Sequence, residues 1–122
     1  MSKKTILVVD DERIIVEITR RKLEETGFEV MTAFDGLQAL ARLKEKVPDL
    51  IILDVQMPNM DGYNFILEKD KVPAYALIPV IVATSFDEME PVFLRHAVRA
   101  FLLKPLRLQE LLLKVHEVLG PA

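Results

Sequence analysis

Four short stretches of this chain are apolar at every position: ILVV at 6–9, LIIL at 50–53, PVIVA at 79–83 and AFLL at 100–103. A half-exposed strand alternates polar and apolar residues; these stretches do not, so each reads as a strand covered on both faces. A parallel sheet between two layers of helices covers its strands in that way. A weaker strand-forming segment, EVMTAF, occupies 29–34.

Helical patterns fill the intervals. Over 12–26, Ile14, Ile15, Ile18 and Leu23 form an apolar face opposite Glu17, Arg20, Arg21 and Glu24, and Gly27 stands where a left-handed cap ends a helix. Asp35 can cap a second helix carrying Leu37, Leu40 and Leu43, and Asp61 a third carrying Tyr63, Phe65, Ile66 and Leu67. Proline is tolerated only in a first turn, so the fourth helix should start near Glu90 and Pro91 and be short, with 86–90 as loop. The last pattern covers 108–119, with Leu111, Leu112, Val115 and Leu119 at core spacing, and stops at Gly120 and Pro121. The order is strand then helix, repeated five times. Right-handed crossovers turn that order into a three-layer, doubly wound α/β fold with a five-stranded parallel sheet. At 122 residues, the chain reads as one domain over 1–122.

Charge and composition exclude several classes of partner. A formal charge of −3 argues against direct contact with nucleic acid or an anionic membrane surface. No run approaches the ~18 apolar residues of a membrane span, and the apolar run after MSKKT is too short for a secretory signal. The absence of cysteine excludes disulfides and thiolate metal sites and suits a cytoplasmic location.

In a doubly wound sheet, function belongs at the carboxyl ends of the strands. There this chain places Asp10, Asp11 and Glu12 after the first strand, Asp54 after the third, Thr84 and Ser85 after the fourth, and Lys104 and Pro105 after the fifth. Each has an ordinary explanation as a helix cap, turn residue or solvated end. Their convergence does not. Carboxylates ~4 Å apart repel by roughly 4 kcal/mol at an effective dielectric of ~20. Asp10, Asp11 and Asp54 carry −3 and Lys104 returns +1, leaving −2, which matches one divalent cation. Hard oxygen donors without nearby His or Cys favour Mg²⁺ or Mn²⁺. An ionised Asp beside such an ion and a lysine is a competent nucleophile toward a phosphoryl group.

VVDDE at 8–12, LDVQMPNMDG at 53–62, PVIVATS at 79–85 and FLLKP at 101–105 together resemble the receiver domain of bacterial two-component response regulators, in the single-domain form of the chemotaxis receivers. The resemblance covers essentially the whole chain. It implies the flavodoxin-like strand order 2-1-3-4-5, which is taken from those receivers and not from periodicity. It implies that Asp54 is the phosphoacceptor, that Asp11 and Asp54 ligate Mg²⁺ (or Mn²⁺) directly, and that Asp10 does so directly or through water. The backbone carbonyl of Gln56 would add a ligand. Thr84 would donate to a phosphoryl oxygen, Lys104 would pair with it, and the Lys104–Pro105 bond would be cis. Phe101 matches the aromatic switch position that acts with Thr84; as an ordinary core phenylalanine it would need no such role. The implied partners are a sensor histidine kinase or phosphotransfer protein, and an output protein. The output surface would comprise the fourth helix, the fifth strand and the last helix, which could also form a phosphorylation-dependent homodimer. Such a domain is not an enzyme beyond its own phosphorylation and dephosphorylation.

The chain also departs from the pattern. Gln56 and Phe86 hold the variable positions flanking the site, Ser85 replaces a smaller residue, and 84–104 is about two residues short, judged against the family spacing. His96, Ala97 and Val98 stand where a glycine is usual, and Arg99 and Ala100 where acids are common. Three rival readings are weaker. A dehalogenase-like phosphatase or phosphotransferase needs a second acid where Gln56 stands. A flavodoxin-like electron carrier needs a phosphate loop where DDERI would repel phosphate. A phosphorylation-independent interaction module would have no use for the intact acids, Thr84 and Lys104.

Overall fold

In the computed structural model, which describes residues 3–85 and 97–121, five parallel strands form one sheet. They are β1 (Thr5–Val9), β2 (Glu29–Ala33), β3 (Leu50–Asp54), β4 (Val80–Thr84) and β5 (Val98–Leu103), in the order β2-β1-β3-β4-β5. The helices are α1 (Arg13–Thr26), α2 (Gly36–Glu45), α3 (Gly62–Asp70), the single turn α4 (Pro73–Ala76) and α5 (Leu108–Leu119). This is the doubly wound parallel sheet expected from the apolar runs, in the flavodoxin-like order that the resemblance implies. Phe86 and the helix expected from Glu90 and Pro91 lie outside the described residues.

Every residue of β1, β3 and β4 is buried, as their lack of alternation requires. Successive side chains still point to opposite faces. Leu7, Val9, Ile51, Leu53, Val80 and Val82 pack with Ala39 and Leu43 of α2 and Phe65 and Ile66 of α3. Ile6, Val8, Leu50, Ile52 and Ile81 pack with Val16 and Leu23 of α1 and Leu111 and Val115 of α5. Each fully buried Leu, Ile or Val contributes about 1.5–3 kcal/mol, so both layers are needed to hold the strand ends.

The cap residues act as expected. Gly27 adopts φ 114°, and its N–H reaches the carbonyls of Leu23 and Glu24. Asp35 accepts from the Gln38 N–H, and Asp61 from the Asn64 N–H. The helix faces differ from the sequence reading. In α1 the buried side chains are Val16, Thr19 and Leu23, while Ile14 is 74 % and Ile18 46 % exposed. In α2, Ala39 and Leu43 are buried and Leu37 faces solvent; in α3, Leu67 is exposed and Lys69 is fully buried. Lys69 earns its place by donating to the Ala76 carbonyl at 3.1 Å and pairing with Asp70 at 3.3 Å, which ties α4 back onto α3. The fifth strand is longer than its apolar run because the pairing with β4 shifts register between Val80 and Ile81, admitting Val98 and Arg99.

The rotation of α1 is open to direct measurement. Leu23→Ala should cost about 2–5 kcal/mol of stability. Ile14→Ala should change it by no more than about 0.5 kcal/mol. Urea midpoints for the two variants decide the matter, because a helix turned to bury Ile14 would give comparable losses.

Candidate functional site

The parallel register delivers the polar residues to one edge of the sheet. Val9 pairs with Leu53, Asp54 with Ala83, and Thr84 with Leu103. Asp10 therefore follows the end of β1, Asp54 ends β3, Thr84 ends β4, and Lys104 follows β5. Carboxylate oxygens of Asp10, Asp11 and Asp54 lie within 4.8 Å of one another. Asp10, Asp54 and Thr84 are buried, and Asp11 is exposed.

Asp54 is the centre of this group. Its Oδ1 pairs with the Lys104 ammonium and accepts from the Val55 N–H at 2.9 Å. Its Oδ2 is buried and has no hydrogen-bond partner among the described residues. Burial pushes the Asp54 carboxyl up to about 6; the Lys104 hydrogen bond opposes that rise, and the charge of Asp10 adds to it. Burial also raises Asp10, against a hydrogen bond from the Glu12 N–H at 3.0 Å. Burial alone would lower Lys104, but the Asp54 hydrogen bond and the charges of Asp54 and Asp10 hold it above its ordinary value. A buried, unpartnered carboxylate oxygen is costly, and one beside two more acids calls for positive charge. The all-oxygen donor set suits a hard divalent cation.

Thr84 donates its hydroxyl to the Ser85 carbonyl at 3.0 Å, while its own carbonyl accepts from the Lys104 N–H at 3.0 Å. That second bond ties the ends of β4 and β5 together at the site. The Lys104–Pro105 bond is cis. Phe101 is half-buried on β5, opposite Val82, and packs against the core on the α2 and α3 side. A cleft of about 420 Å³ adjoins the acids, lined by Asp10, Glu12, Ile15, Lys104, Pro105 and Leu106. Gln56 is exposed, two residues beyond Asp54 on the connection to α3.

That connection contains residues whose importance the sequence reading did not bring out. The Gly62 N–H donates to the Val55 carbonyl at 2.8 Å, and a Cβ on Gly62 would lie 2.7 Å from the Asp54 carbonyl oxygen. Only glycine lets α3 begin so close to the backbone of Asp54. Asn59 has φ 66°, and its Nδ2 donates to Asp35 Oδ2 at 2.7 Å. Asp35 was legible as a helix cap, but not as a link to this connection. The available signal was the cluster of Pro, Asn, Asp and Gly at 58–62, which marks backbone held by turn chemistry.

Comparison with known proteins identifies the family to which this fold belongs. The sequence pattern of the response regulator receiver domain matches residues 6–116. The chain is 42 % identical over 90 residues to the alkaline phosphatase synthesis transcriptional regulatory protein PhoP of Bacillus subtilis, covering 72 % of this chain and 35 % of that protein. It is 33 % identical over 121 residues to the probable transcriptional regulator ycf27 of Porphyridium aerugineum, covering 98 % of this chain and 49 % of that protein. It thus spans less than half the length of these relatives. Among solved structures, the chemotaxis protein CheY4 of Vibrio cholerae superposes with a TM-score of 0.86 at 31 % identity, covering 97 % of this chain and all of that one. The chain belongs to the response regulator receiver domain family of two-component signalling.

Proposed function

We propose that residues 1–122 act as one phosphorylation-activated switch, in which Asp54 accepts a phosphoryl group from a sensor histidine kinase or phosphotransfer protein. The observation that carries this reading is the state of Asp54: buried, half-compensated by Lys104, and with an oxygen beside Asp10 and Asp11 that has no partner among the described residues. In the transfer, a carboxylate oxygen of Asp54 attacks phosphorus in line, an O–P bond forms, and the N–P bond of the phosphohistidine breaks. The departing imidazole nitrogen keeps the electron pair and takes up a proton. No general base is needed, because Asp54 attacks as an anion.

Asp11 and Asp54, with Asp10 directly or through water and the Gln56 backbone carbonyl, would hold Mg²⁺ or Mn²⁺. When bound, the cation supplies charge neutralisation for the acids and for the transferring oxygens. Lys104 moves from carboxylate to phosphoryl oxygen, and Thr84 turns its hydroxyl from Ser85 to the same group. Phe101, half-buried on β5, follows into the space beside Thr84. The consequence is a changed surface around β5 and α5 that an output partner, or a second copy of the chain, can read. A kinase partner of this kind places the domain in the cytoplasm. No described helix is long and apolar enough to cross a membrane.

Incubation with acetyl phosphate and Mg²⁺, followed by intact mass, should show one phosphoryl group on the wild type and none on Asp54→Asn. Asp11→Asn should slow its appearance by at least about tenfold. An unmodified wild type would leave an interaction module as the better description, and an Asp54→Asn protein that still gains the group would move the acceptor to another residue.

The raised carboxyl of Asp54 fixes a second outcome. An acid held above its unfolded value binds its proton more tightly in the folded state, so its ionisation weakens folding. The penalty is absent below the ordinary value of 3.8, grows with pH, and is complete above about 6. Without metal, Asp54→Asn should therefore raise stability by up to about 3 kcal/mol at about pH 8, with the gain fading toward about pH 4. Urea unfolding across that range reads the effect directly. A gain that is constant with pH would assign it to something other than the carboxylate.

A further inference from the structure

The connection between β3 and α3 is anchored by a carboxylate outside the acidic group. Asp35, 5 % exposed, divides its oxygens between two elements. Oδ1 accepts from the Gln38 N–H at 2.8 Å and caps α2, while Oδ2 accepts from Asn59 Nδ2 at 2.7 Å. Beside it the Gly36 N–H donates to the Met60 carbonyl at 2.9 Å, so close that a Cβ on Gly36 would lie 2.7 Å from that oxygen. Between these anchors the backbone makes its tightest bend. The Met60 N–H donates to the Pro58 carbonyl at 2.7 Å around Asn59, whose φ is 66°. A bond spanning one residue of positive φ is the strained hand of γ-turn. Such a bend persists where the surroundings hold it, and here the Asp35 carboxylate holds Asn59 while the Gly36 N–H holds Met60.

We propose that Asp35 is a positioning residue for the divalent-cation site, acting through Asn59 to keep the Gln56 backbone carbonyl within reach of Asp11 and Asp54. This inference rests on the cation reading given above. Gln56 sits between two fixed points. On one side are the end of β3 and the bond between Val55 and Gly62; on the other are the links from Asn59 and Met60 to the start of α2. A side-chain ligand can correct a small displacement by changing rotamer. A backbone carbonyl moves with its loop, so its geometry is only as good as the more distant anchor.

The two duties of Asp35 can be separated by substitution. Asp35→Asn keeps an oxygen for the cap, since Asn caps helices as well as Asp does, but replaces the charge-assisted bond with a neutral amide pair that forms only when the Asn59 amide turns over. The double variant Asp35→Asn, Asn59→Asp reverses the pair, restores the bond and keeps the wild-type net charge. Aspartate also tolerates the left-handed backbone. Asn59→Gly removes the link with neither the cap nor the charge altered. The probe is Mn²⁺, followed by the EPR signal of the free ion, with Mg²⁺ as competitor.

Asn59→Gly should weaken Mn²⁺ binding by about tenfold or more, and Asp35→Asn by less, because a turned-over Asn59 amide still accepts from the new amide. The double variant should return to within about threefold of wild type. Wild-type affinity in both single variants would overturn the proposal, and so would a double variant that stays weak. Either result, with a wild type that binds, leaves the cation site itself standing. A wild type that binds neither ion removes that site and this role together.

Discussion

A carboxylate buried at the end of β3 has to be compensated by whatever the neighbouring elements bring to it. β5 brings Lys104, the first turn after β3 brings the Val55 N–H, and β1 brings two further acids that make matters worse. The compensation is incomplete, with one oxygen of Asp54 unpartnered among the described residues and its proton held up to about 6. Much of the local architecture serves to keep this imbalance in place. Gly62 lets α3 start against the Asp54 backbone, and the bond from Lys104 to Thr84 locks the ends of β4 and β5 side by side. A site held short of neutrality responds strongly to an arriving cation or phosphoryl group, because each supplies what the fold withholds.

The layers on either side provide the rigidity that such a site needs. β1, β3 and β4 are buried along their whole length, with α1 and α5 on one face and α2 and α3 on the other. β5 is different in kind. It lies at the sheet edge, carries the register shift, and buries only Leu102 fully, with Leu103 at 47 % exposure. A strand with less packing on it can rearrange at lower cost than the central three. The proposed movement of Phe101 is thus placed on a strand less tightly packed than the central three.

Much of the arrangement was legible before any coordinates. The unalternated runs ILVV, LIIL and VIVA have no stable home except a sheet covered on both faces. Asp35 and Asp61 were readable as caps because aspartate before an apolar helix answers the unsatisfied N–H groups there. The helix faces were less legible. α1 offers Ile14, Ile15, Val16 and Ile18 within one turn and a half, so the pattern admits more than one rotation. Packing against β1 and α5 selected Val16, Thr19 and Leu23, leaving Ile14 in solvent. Lys69 was unreadable for a similar reason, since its buried place depends on the α4 carbonyl that receives it.

The sequence by itself determined the five strands, their parallel sheet, and which polar residues stand at its carboxyl edge, because all of these follow from local pattern and chain connectivity. The tertiary structure decided what depends on distance. It set how close Asp10, Asp11 and Asp54 lie, which oxygen of Asp54 is paired, and that Asp35 reaches Asn59 across 24 residues of chain. Desolvation and hydrogen bonding act through space and fall off within a few ångströms, so no one-dimensional pattern carries them.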